Sequence, residues 1–189
     1  MKIPLRTQLL SCAALAGAAL AILLLRQVPL PALLQAGLPS WQQALAGIAL
    51  GLAAGGISAL TTLRKPNSEA VQRTAASYAR LDLSGWNPLW ISLAAGVSEE
   101  LLFRAALQPL LGIWGASVLF LLLHIGAYDF RRLDRPALWQ ASGVFGMSVL
   151  LGFAFDYVGL LAVMLAHAIV DIIGLYLVRR ISEGANLLR

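Results

Sequence analysis

Charge is what this sequence has least of. Only 12% of its 189 residues are Asp, Glu, Lys or Arg, while 59% are hydrophobic. Mean hydropathy is +0.78. A soluble core cannot hide so large an apolar share, so the composition excludes a soluble domain and fits a polytopic membrane protein. Cysteine occurs once, as Cys12, which excludes an internal disulfide framework. It lies in an apolar run and reads most simply as a small packing residue. No serine stands in a GxSxG setting and there is no HExxH, so neither the nucleophile elbow nor the zincin helix is present. Internal repeats and low-complexity segments are absent, as are the duplicated halves common in carriers. The net charge of +5 would suggest nucleic acid in a soluble protein. Here the basic residues sit in short connectors, and topology explains them better.

What is present is a series of long apolar runs. Six spans are expected, at about Thr7–Leu25, Trp41–Leu63, Pro88–Leu111, Ile113–Ala127, Leu138–Phe155 and Val158–Val178. The third and fourth are joined tightly around Gly112. The first is longer than a typical signal-peptide core, so it reads as a span that is kept. Six alternating spans put Lys2, Arg6, Arg64, Lys65, Arg73, Arg80, Arg131, Arg132, Arg135, Arg179, Arg180 and Arg189 on one side, twelve of the fourteen basic residues. Arg26 alone lies opposite, and Arg104 falls within the third span. This bias predicts cytoplasmic termini. Gly47, Gly51 and Gly55 share a helix face and would let a neighbouring helix approach closely. In the connector Arg64–Gly85, Val71, Ala75 and Tyr78 recur at helical spacing. An interfacial helix and a solvated loop both fit. The fold class expected is all-α: a membrane bundle with an N-terminal two-helix segment and connector (1–85), a catalytic bundle (86–180) and a short, disordered tail (181–189).

Few polar side chains interrupt the spans. The third holds Glu99, Glu100 and Arg104, the fourth His124, the sixth His167 and Asp171. These are the only two histidines. A Glu or Arg at mid-membrane costs about 2.5–3.5 kcal/mol on the insertion scale, so such residues are functional candidates by default. Glu100 and Arg104 are i, i+4 and can neutralise each other. Glu99 is turned about 100° away, above Phe103. His167 and Asp171 are also i, i+4, as are Phe120 and His124. Glu99, His124, His167 and Asp171 all fall between mid-membrane and the cytoplasmic interface, so they can converge in one cavity. Each feature also has a bland reading: a structural Glu100–Arg104 bridge, a His124 bonded to a carbonyl, a self-satisfied His167–Asp171 pair. Glu99 resists one, because its own helix offers no cation on its face. A carboxylate and an imidazole can activate water, and a second imidazole can stabilise an oxyanion. That is equipment for peptide hydrolysis without a covalent intermediate.

The motifs are Glu99-Glu100-Leu-Leu-Phe-Arg104 (EExxxR), Phe120-Leu-Leu-Leu-His124 (FxxxH) and His167-Ala-Ile-Val-Asp171 (HxxxD, for HxxxN). In this order on separate membrane helices they resemble the CPBP family of type II CAAX prenyl endopeptidases and bacteriocin self-immunity proteins, also called ABI. The resemblance covers about Trp86–Val178. It implies that Glu99 and His124 position and activate the catalytic water, with Glu100 and Arg104 supporting the site and Phe120 beside them. It also implies an oxyanion-stabilising role for His167 and residue 171. Asp171 departs from the commoner Asn, since an ionised Asp cannot donate to an oxyanion. It would be protonated, or orient His167, or ligate a metal.

The function expected is an intramembrane endopeptidase acting on a membrane-associated protein or peptide. No cofactor is favoured, although Glu99, His124, His167 and Asp171 are all possible zinc ligands. The implied partners are the lipid bilayer and the substrate, with no nucleic acid. The implied location is a bacterial inner membrane, with the site open to the cytoplasm. The alternative is an inactive relative serving as an immunity factor or membrane scaffold. A carrier or a bis-histidine haem protein is a third reading, but haem leaves Glu99, Glu100 and Arg104 unexplained.

Overall fold

The structure is a computed structural model that describes residues 2–128 and 134–187. Within them the chain is built of helices, as the apolar periodicity requires, and the backbone satisfies itself as lipid demands. Five helical runs are long and apolar enough to cross a membrane. They are α1 (Leu5–Leu25), α3 (Ser40–Arg64), a long run from Asn87 to Leu123, α8 (Arg135–Tyr157) and the apolar part of α9 (Leu160–Leu187). The short α2 (Leu30–Gln35) and the four-residue α7 (Ile125–Tyr128) lie in connectors.

The expected count was six, and the difference lies in the long run. It starts as α5 (Asn87–Glu100), passes through a π-helical segment (Leu101–Leu107) and continues as α6 (Gln108–Leu123). At Gly112 the backbone leaves helical geometry (φ 68°, ψ 172°), a conformation that glycine adopts without steric cost. There the chain turns back on itself. Phe103 and Phe120 have ring centroids 4.9 Å apart, whereas 17 residues of straight helix would separate them by about 25 Å. The arm after Gly112 is short, and α6 ends at Leu123 rather than at Ala127. The π segment shows in the Gln108 N–H, which bonds to the Phe103 carbonyl five residues back.

Helix α9 lies between α3 and α5, and small residues set both contacts. A Cβ on Gly47 would stand 2.4 Å from the Ala162 carbonyl oxygen, and one on Gly51 2.8 Å from the Ile169 Cβ. On the other side, a Cβ on Gly96 would meet the Met164 carbonyl oxygen at 2.9 Å. The glycine face of α3 is thus the close-packing surface its spacing suggested. Gln43, fully buried, locks one end of this layer. Its Nε2 donates to the Ala36 and Leu38 carbonyls, and its Oε1 accepts from the Leu161 N–H at the start of α9.

At the opposite end, Ile3 pairs with the strand-like stretch at Leu81. The connector forms α4 (Glu69–Tyr78), capped by Ser68, so the helical reading of Val71, Ala75 and Tyr78 holds. Ala75 packs with Leu83, Ile91, Leu175 and Val178. Arg73 of α4 bonds to Glu69 and reaches Asp134, the N-cap of α8, at 2.7 Å. Beyond Arg180, where a disordered tail was expected, α9 continues as helix to Leu187. Arg131, Arg132 and Arg189, three of the basic residues used to orient the spans, lie outside the described residues.

Candidate functional site

Three helices bring the motifs together. Glu99 and Glu100 end α5, His124 caps α6, and His167 and Asp171 lie one turn apart near the middle of α9. The fold-back at Gly112 returns α6 towards α5, and the Gly96 contact draws α9 against α5. Glu99 Oε2 lies 3.7 Å from His124 Nε2 and 3.9 Å from His167 Nε2. His167 Nε2 lies 3.5 Å from Asp171 Oδ2. The two imidazoles therefore meet around one carboxylate oxygen, with Asp171 beside His167, and that buried Oε2 accepts no hydrogen bond among the described residues.

The protons at this meeting point can be traced. His124 Nδ1 donates to the Phe120 carbonyl at 2.8 Å. His167 Nδ1 donates to Glu100 Oε1 at 2.6 Å. With Nδ1 committed, both imidazoles turn Nε2 towards Glu99, and His167 Nε2 also meets Asp171. A neutral imidazole presents an acceptor there, which suits a proton or a water between it and the carboxylate. Charge gives the same result. Glu99, Glu100 and Asp171 face one guanidinium, so the cluster becomes neutral only with two further protons.

Glu100 plays a different part from Glu99. Its Oε2 accepts from Arg104 Nε at 2.9 Å, and both side chains are fully buried. This is the i, i+4 pair expected from the sequence. The sequence reading did not anticipate the second oxygen, which holds His167 on another helix. Nor did it anticipate Ser148 of α8, whose Oγ accepts from Arg104 Nη2 at 2.8 Å. A single serine in an apolar helix has no pattern to announce it. Phe120 lies between the groups: its ring stacks on His124 at 4.2 Å, meets His167 at 6.1 Å and faces the Arg104 guanidinium at 5.9 Å.

Cys12 also changes its meaning. It is remote in sequence, yet α1 packs against α5 and the π segment, and Cys12 lies near Ser98, next to Glu99. Helix α1 is thus a wall of the site, and Cys12 is more than packing. Among the described residues, no group of three or more His, Cys, Asp or Glu side chains could hold a metal ion.

These elements coincide with the chain's similarity to known proteins. Residues 82–173 match the family model described as type II CAAX prenyl endopeptidase, Rce1-like. The uncharacterized protein YpbD of Bacillus subtilis (strain 168) is 38% identical over 84 residues, which cover 44% of this chain. The match spans 41% of that relative's length. No solved structure matches the chain. The matched segment contains all three motifs, and over residues 82–173 the chain is thus similar to the Rce1-like type II CAAX prenyl endopeptidases.

Proposed function

We propose that the chain is an intramembrane endopeptidase, hydrolysing a peptide bond in a membrane-associated protein or peptide with water activated by Glu99 and His124. The observation that carries this reading is the Glu99 Oε2, which is buried, bears no hydrogen bond among the described residues and stands 3.7 Å from His124 Nε2. Two acceptors at that spacing suit a water that donates one hydrogen to each. Glu99 removes a proton as the water oxygen attacks the peptide carbonyl carbon. The carbonyl oxygen becomes an oxyanion, which protonated His167 stabilises through Nε2–H. The tetrahedral intermediate then expels the amine, which takes the proton held by Glu99. Asp171, 3.5 Å from His167 Nε2, serves here to orient that imidazole.

This mechanism gives no step to a metal. The site opens, in this reading, to the side where twelve of the fourteen basic residues fall, the cytoplasmic face of a bacterial inner membrane. The substrate class follows from the lipid-embedded position of the site, and prenylation has no part in the proposal. The test is to reconstitute the full chain in liposomes with a library of membrane-anchored peptides and to search for new termini by mass spectrometry. Defined cleavage products supports the reading. A cellular immunity or scaffold phenotype that persists unchanged in Glu99→Gln, with no products from wild type, replaces it with the non-enzymatic alternative.

A further inference from the structure

One turn beyond the site, towards Gly112, three buried polar atoms have no hydrogen-bond partner among the described residues. They are Arg104 Nη1, Gln108 Oε1 and Ser117 Oγ. Their residues are exposed by 0%, 4% and 0%. In a membrane interior an unsatisfied polar group costs several kcal/mol, by the rule that restricts spanning folds to self-satisfied backbones. Three together call for a common partner.

The register of the helices brings them together. Arg104 and Gln108 are one turn apart on one helix, and Ser148 and Gly152 one turn apart on α8. Arg104 donates to Ser148, and Gln108 Nε2 donates to the Gly152 carbonyl at 3.0 Å. A Cβ on Gly152 would touch both Ile113 and Gln108 Oε1, which places Ile113 of α6 at that level. Phe120 of α6 faces Arg104. Ser117 lies between Ile113 and Phe120 on the same helical stripe, and so faces the same interior.

Donor and acceptor types then select the partner. Arg104 Nη1 only donates, Gln108 Oε1 only accepts, and the Ser117 hydroxyl does either. A cation would be repelled by Arg104, and an anion by the Gln108 carbonyl. A small neutral molecule that both accepts and donates satisfies all three, within the two to four partners a buried water requires.

We propose that Arg104, Gln108 and Ser117 form a binding site for one ordered water between the π segment, α6 and α8. The water holds the third edge of the Arg104 guanidinium, whose other contacts are Glu100 and Ser148. It thereby fixes the Glu100 carboxylate that grips His167. This site is independent of whether the chain cleaves peptides. It is tested by a crystal structure of the full chain grown from a lipid mesophase, at a resolution that shows ordered solvent. The expected result is one solvent peak within about 3.2 Å of Arg104 Nη1, Gln108 Oε1 and Ser117 Oγ. Direct bonding of these atoms to one another or to other protein groups, with no solvent between them, overturns the proposal.

Discussion

Glu100 and His167 are joined at 2.6 Å, Oε1 to Nδ1, across α5 and α9. The other oxygen of Glu100 is held by Arg104 at 2.9 Å. Both oxygens are therefore occupied, and Glu100 is the structural member of the adjacent pair. Glu99, whose Oε2 has no hydrogen-bond partner among the described residues, is the one proposed to react.

Stability should separate the two glutamates. Glu100→Gln leaves Arg104 buried without its counter-charge, a loss of about 3–5 kcal/mol. Thermal unfolding in detergent should show a large drop for this variant. Glu99→Gln removes a buried carboxylate whose Oε2 has no hydrogen-bond partner among the described residues, and should unfold at the wild-type temperature or above. Equal drops would contradict the division of labour.

Cys12 reports on access to the site. It is the only cysteine, so labelling is unambiguous by mass. A maleimide on its sulfur adds bulk beside Ser98 and Glu99. Misplacing reacting groups by 1 Å can cost about a hundredfold, so fully labelled protein should lose at least about tenfold in cleavage rate. Cys12→Ser should stay active and become insensitive. Complete labelling with full activity would place α1 away from the site.

Glycines on α3 should respond in opposite ways. A Cβ at Gly47 would stand 2.8 Å from the Ala162 Cα, while one at Gly56 meets nothing within 4 Å. Gly47→Ala should destabilise by about 1–3 kcal/mol through overpacking against backbone. Gly56→Ala should be neutral or stabilising by up to about 1 kcal/mol. Paired unfolding measurements check this, and a reversed order would refute the α3–α9 contact.

The sequence carried much of this because its informative pairs are local. Glu100 with Arg104 and His167 with Asp171 are i, i+4 relations that survive in the fold. The glycine spacing on α3 likewise foretold a close neighbour. What could not be read is set between helices. The Glu100–His167 bond joins residues 67 apart, and neither wheel indicates it. Ser148 looks like any small residue of an apolar helix until Arg104 finds it. The π segment at Leu101–Leu107 has no propensity signal in its residues. The break between the third and fourth runs was legible at Gly112, where the chain reverses, but the early end of the second arm at Leu123 left no mark in the apolar run. Cys12 was underestimated because sequence distance says little about distance between packed helices.

Metal dependence gives a further test. The water-activating pair is complete without a metal ion in this account. Incubation with phenanthroline followed by dialysis should leave the cleavage rate unchanged. A loss of activity that added zinc restores would show that Glu99, His124, His167 and Asp171 act as ligands instead.

The central claim is that Glu99 is the base. The direct measurement is the single-turnover cleavage rate of Glu99→Gln against wild type, in liposomes, on a peptide that wild type cleaves. The substitution keeps the size and removes only the proton acceptor. The account predicts a fall of about 10²–10⁴ in protein that remains folded. A variant that cleaves at the wild-type rate would contradict it.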